Sequence, residues 1–169
     1  TVFWETVPAQ YLPLSLWLEA DRMASLRIDN DTFVNAREVV KEERRMRVDN
    51  QPFGRLTEIL YDHAFTVHPY KHPTIGSMQD LEAASIDDVR DFYNTFYVPA
   101  NCTMTIVGDF DGAQAKQLVE QYLARVPGSD QPVPREIPKE PPQTKERRVT
   151  IETPWPLPAV VVAHHITYD

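Results

Sequence analysis

The stretch SIDDVRDFYNTFYVPANCTMTIV, residues Ser85–Val107, carries two backbone periods in succession. Ser85 with Asp88 three residues on is a capping-box pattern, with Asp standing where Glu is more usual. Val89, Phe92, Tyr93 and Phe96 then recur at helical spacing, and Pro99 follows the end of the predicted helix. Cys102–Val107 alternates and is rich in β-favouring residues, so it predicts a strand.

Working outward, the segments before Ser85 read as helical. Leu14, Leu18, Asp21, Arg22 and Ser25 share one side of a first helix, and Leu16, Trp17, Ala20, Met23 and Ala24 supply its apolar side. Asn30 or Asp31 caps a second helix, from about Thr32 to Val48. Pro52 opens a third, with Leu56, Ile59, Leu60 and Ala64 on one side. After Val107, Asp111 caps a helix carrying Ala115, Leu118, Val119 and Tyr122. Helices, strand, helix and later β-rich segments suggest an α+β fold with helices laid on a sheet.

The prolines divide the chain. Nine of 15 fall between Pro127 and Pro158, six of them within Pro127–Pro142. Proline fixes φ and donates no backbone hydrogen bond, so this stretch is neither helix nor central strand. It reads as an extended linker. Arg147–Glu152 and Ala159–Ile166 beyond it are short and β-rich, too little for an independent domain. The expected division is 1–126 as one domain, 127–145 as linker and 146–169 as the start of a second.

Composition narrows the function. The chain has 169 residues, 42% apolar and 25% charged, enough for a core and incompatible with wholesale disorder. A single cysteine excludes an internal disulfide framework and a multi-cysteine zinc site. A net charge of −8 argues against nucleic acid or anionic lipid as main partner. No stretch approaches the roughly 20 apolar residues of a transmembrane helix, and no leader is expected within these residues.

The second predicted helix holds the most informative residue. Phe33, Ala36 and Val40 define an apolar stripe whose next position is Glu43, flanked by Val39 and Met46. Glu38, Glu42 and Arg45 lie elsewhere, as a solvated ion-pair face. A carboxylate on an apolar face is costly unless paired or metal-bound. Two readings follow: Glu43 pairs with a nearby arginine, or it is a ligand or catalytic carboxylate.

Other candidates carry less. His68 and His72 have a helical metal spacing, but Pro69 and Pro73 follow them, so the segment is not helical. His164 and His165 point to opposite strand faces, and His63 has only Asp62 beside it. Gly108–Gly112 lacks the downstream acidic ligand of a calcium loop. Asn30-Asp31-Thr32 and Asn101-Cys102-Thr103 match a glycosylation pattern too short to be informative. Cys102, in an apolar predicted strand, is expected to be an inert core thiol. There is no Gly-rich phosphate loop and no G-x-S-x-G elbow.

An ordered set of segments resembles the insulinase/pitrilysin family of zinc metallopeptidases, most of all bacterial two-domain members related to mitochondrial processing peptidase. The matching stretches are Leu16–Met23, Arg37–Arg45, Asn50–Gly54, His68-Pro69-Tyr70, Ile75-Gly76, Phe92-Tyr93 through Tyr97–Asn101, and Val107–Phe110. They cover residues 1 to about 128, and the linker and following strand fit more loosely. The resemblance implies helices packed on a mixed, largely antiparallel sheet, incomplete here, followed by the first strands of a second similar domain.

The family's zinc is bound by two histidines of an H-x-x-E-H helix, whose glutamate activates water, and by a glutamate on a later helix. The later pattern resembles E-R-x-V-V-x-x-E, and laid on this chain its last glutamate, the metal ligand, is Glu43. Its first glutamate, an outer partner that orients ligands, is Ala36 here. No H-x-x-E-H occurs in these residues. The resemblance therefore implies an internal fragment of a zinc endopeptidase, with one zinc ligand, no catalytic residue and no cofactor-binding residue of its own. Alone it is expected to be inactive and to bind zinc poorly. The parent would cut extended peptides within a two-domain chamber, alone or with a homologous partner chain, in a bacterial periplasmic or secreted setting rather than the cytoplasm. The alternative is a non-catalytic homologue serving as partner or structural subunit. Ala36 leans toward that alternative and Glu43 toward the peptidase.

Overall fold

The computed structural model describes residues 1–154 and 156–166. Among these residues six α-helices follow in order: α1 Leu12–Ser25, α2 Asn30–Arg44, α3 Leu56–Ala64, α4 Met78–Ala83, α5 Ile86–Phe96 and α6 Gly112–Leu123. Short 3-10 turns occupy Ala9–Tyr11, Pro69–Lys71 and Pro99–Asn101, and a π-turn, Arg45–Asp49, continues α2. The chain forms two compact units, Thr1–Asn30 with Ser85–Pro134, and Asp31–Ala84 with the described residues from Arg135 on.

In the first unit α1 packs against α6. Leu16 and Ala20 of α1 and Ala115 of α6 are buried, with Val98 and Val126. Alanines at such positions let helix axes approach closely. The end of α1 is tied by α5: the Tyr93 hydroxyl lies 2.7 Å from Arg22 O and 2.9 Å from Met23 O, and Arg90 Nη2 donates to Ile28 O at 3.1 Å. These acceptors include carbonyls that a helix terminus leaves without an internal partner. Burial pushes the Tyr93 phenol above its ordinary value, ahead of a lowering backbone hydrogen bond. The capping box forms as the sequence predicts. Ser85 Oγ accepts from the Asp88 N–H at 3.2 Å, and the Asp88 carboxylate accepts from the Ser85 N–H at 2.8 Å. Asp111 likewise caps α6, accepting from the Gln114 N–H at 2.7 Å.

The α+β expectation is not met: the architecture is helical, and the described residues contain no strand or sheet. Cys102–Val107 lies outside any helix, with Cys102 itself extended, but it has no ladder partner. Together with Thr1–Val7 it lines a cleft of about 690 Å³. Arg147–Glu152 and Ala159–Ile166 likewise have no ladder partner. Alternation and β-branching specify an extended backbone and its faces, whereas a sheet also needs a neighbouring backbone to exchange hydrogen bonds. Without one, Val107 is 90% exposed and Cys102 is an exposed thiol, not a core one.

Pro52 does not open α3. It falls in the turn between the π-turn and Leu56. Phe53 there has φ of +58°, unusual for a residue with a Cβ. Gly54 follows, where a Cβ would lie 2.2 Å from Val48 O, so no larger residue fits without a backbone shift.

Candidate functional site

The second unit is organised by the inner side of α2. The expected stripe through Phe33, Ala36, Val40 and Glu43 is offset from the observed one, which runs through Phe33, Arg37, Val40, Lys41 and Arg44, while Ala36 is exposed. Long basic side chains occupy this side because their stems cover apolar surface as the charged heads reach partners. The Arg37 guanidinium lies 5.3 Å from the Phe33 ring centre, and Lys41 reaches Glu38 at 3.3 Å and Glu82 at 3.6 Å.

Arg44 is the hub, 4% exposed. Its Nη2 lies 2.9 Å from Glu58 Oε2 of α3 and 3.5 Å from Asp49 Oδ1, and its Nη1 donates to Gly76 O at 2.5 Å. One side chain thus joins α2, the π-turn, α3 and the turn before α4. Search for apolar residues at helical spacing passes over it, because the signal is a basic residue on the inward side of a helix.

Glu43 sits one residue before this hub. Its side chain is less exposed than that of Glu42, 36% against 59%. Arg47 Nη1 contacts Glu43 Oε1 at 2.9 Å, and Arg45 donates to Glu42 at 3.0 Å. The arginine-paired arrangement is therefore present at Glu43, one helical turn along.

The histidines have local partners. His63 Nδ1 is 2.7 Å from Ile59 O, and His68 Nδ1 accepts from the Tyr70 N–H at 3.1 Å. Among the described residues no group of three or more His, Cys, Asp or Glu side chains is placed to hold a metal ion. A protein zinc site takes at least three protein ligands. The described residues by themselves do not assemble such a set.

A family model described as "Peptidase M16 inactive domain" matches residues 83–167, half of the chain. The chain belongs to the peptidase M16 family. It is 33% identical to the zinc protease PqqE of Helicobacter pylori over 141 residues, covering 83% of this chain and 32% of that protein. The crystal structure of a protease from the same organism superposes with a TM-score of 0.76 at 32% identity, covering 80% of this chain and 33% of that one. The first half of the periplasmic protease PqqL from Escherichia coli shares the fold at a TM-score of 0.61 and 20% identity, covering 79% and 29%. The chain spans about a third of the length of the curated relative it matches. No helix among the described residues is long and apolar enough to cross a membrane.

Proposed function

We propose that this chain is part of a zinc-dependent endopeptidase that hydrolyses extended peptides within a two-domain chamber. Membership of the M16 family carries this reading. Glu43 supplies one zinc ligand in the parent protein, and the remaining ligands and the catalytic base come from outside these residues. A half-buried carboxylate at the end of a helix, fixed beside the Arg44 hub, supports that assignment. In the assembled site Glu43 would have to exchange its Arg47 contact for the metal. Residues 1–126 then belong to the first domain, 127–145 link it to the next, and 146–169 begin the second. The periplasmic relative favours an exported protein.

The second reading is a non-catalytic partner subunit. The exposed Ala36, in place of the family's outer glutamate, and the inactive-domain description of the matching model favour it.

The test compares Glu43→Gln and Glu42→Gln in the complete parent polypeptide. The amide keeps the size of the carboxylate and loses the charge that holds a cation. Glu43→Gln should lower zinc content and turnover at least roughly tenfold, since even outer-shell losses reach that size, with Glu42→Gln near wild type. Equal zinc content in wild type and Glu43→Gln rejects the ligand assignment. A parent without zinc or turnover supports the partner-subunit reading.

A further inference from the structure

The C-terminal end of α3 meets chain segments remote in sequence. Tyr61 O accepts from the Phe65 N–H at 3.0 Å, and Asp62 O from Lys71 Nζ at 2.9 Å. His63 O accepts from Arg147 Nη1 at 2.6 Å, and Ala64 O lies 2.9 Å from His165 Nε2 and 3.4 Å from Arg147 Nη1. Cationic donors on the last carbonyls of a helix match the negative end of its dipole. The Phe65 ring packs on His165, with ring centres 5.2 Å apart.

Immediately beyond, the polarity reverses. The N–H groups of Thr66, Val67 and His68 converge on the Glu140 carboxylate, at 2.7 Å to Oε1 and at 3.0 and 2.9 Å to Oε2. The Thr66 hydroxyl adds a fourth bond, to Oε1 at 2.5 Å. Successive backbone N–H groups aimed at one point form an anion-binding concavity. Burial pulls the Glu140 carboxyl upward, but the Thr66 hydroxyl and the three N–H groups outweigh it and hold the pKa at about 2. Pro138, Pro141 and Pro142 flank Glu140, and their fixed φ reduces the freedom lost on docking.

We propose that the 66–68 loop is a carboxylate receptor with Glu140 as its built-in ligand, so that the segment from Pro138 to Arg147 is a docked strap pinned by Glu140 and Arg147. The strap stands on this geometry alone and does not depend on peptidase activity. If residues 127–145 join two domains, as proposed above, docking at Glu140 fixes the point from which the second domain departs.

The test is amide hydrogen exchange of the full chain, wild type against Glu140→Gln, with Glu136→Gln as control. A charged acceptor bonds N–H groups about twice as strongly as a neutral one, so exchange at Thr66, Val67 and His68 should rise roughly tenfold or more in Glu140→Gln. Trypsin should also cut faster after Lys145, and Glu136→Gln should leave both unchanged. Unchanged exchange at the three amides in a folded Glu140→Gln overturns the proposal. Carboxyl NMR of the wild type decides the matter even if the variant misfolds: Glu140 should titrate near 2. A midpoint in the range of ordinary exposed glutamates would equally overturn it.

Discussion

Each of the two compact units is stabilised internally by a different means. Among the described residues, the buried apolar side chains Leu16, Ala20, Val98, Ala115 and Val126 all lie in the first unit, whereas the buried side chain of the second is Arg44. The first unit relies on area removed from water, which is non-directional and tolerant of small shifts. The second relies on a guanidinium that must meet Glu58, Asp49 and Gly76 O together. Burying a charge is favourable only when its partners are in place, so this unit gains directional definition at the risk of abrupt failure when one partner is lost.

The largest effect should come from Arg44→Met. It fills similar volume but leaves Glu58 without its buried counter-charge, and loss of one partner of a buried pair costs about 3–5 kcal/mol. Urea unfolding followed by probes in each unit should show the loss in the second unit. A loss below about 1 kcal/mol would mean that water solvates Glu58 freely and that the contrast between units is false.

Leu16→Ala should follow, at about 2–4 kcal/mol for a core cavity, registered in the first unit and insensitive to pH between 5 and 8. Pronounced pH dependence of that loss would show that the nearby Arg22–Glu19 pair, at 2.6 Å, shares the work of the apolar core.

The smallest effect concerns acid. Glu140 has a folded pKa of about 2, below the ordinary 4.5, so it contributes stability that is fully present above 4.5. That contribution declines as pH falls below 4.5 and is gone below 2. Hydrogen exchange corrected for intrinsic rates should therefore show unchanged protection of Thr66–His68 from pH 7 to 5, then loss under stronger acid. Loss already between pH 7 and 5 would assign those amides to another partner.

Local signals were the legible part of the sequence. Ser85 with Asp88, and Asp111 before α6, announced helix starts because a cap and its target lie three residues apart. The buried Leu16 and Ala20 of α1 followed from spacing. What escaped needed partners distant along the chain. Cys102–Val107 reads as a strand, but its letters do not name a neighbour. Arg44 meets Gly76 across 32 residues, and Glu140 meets Thr66 across 74, and neither pairing leaves a periodic trace. At the candidate site, apolar residues alone misplace the inward side of α2, which Arg37, Lys41 and Arg44 occupy, while Glu43 is less exposed than Glu42.

The π-turn at Arg45–Asp49 makes chain length itself a structural parameter. Its wide loop closes from the Asn50 N–H to Arg45 O at 2.9 Å, and Gln51 Nε2 reaches back to Met46 O at 2.8 Å. A π-turn is an α-helix with one residue added, so deleting one residue here would let α2 run on as a regular helix. Everything after the deletion would rotate by about 100° around the helix axis. The strained Phe53 and the crowded Gly54 could no longer turn the chain toward α3, and Glu58 would swing away from Arg44. Point substitutions on the exposed side of this turn should be accommodated, whereas single-residue deletions should be among the least tolerated changes in the second unit.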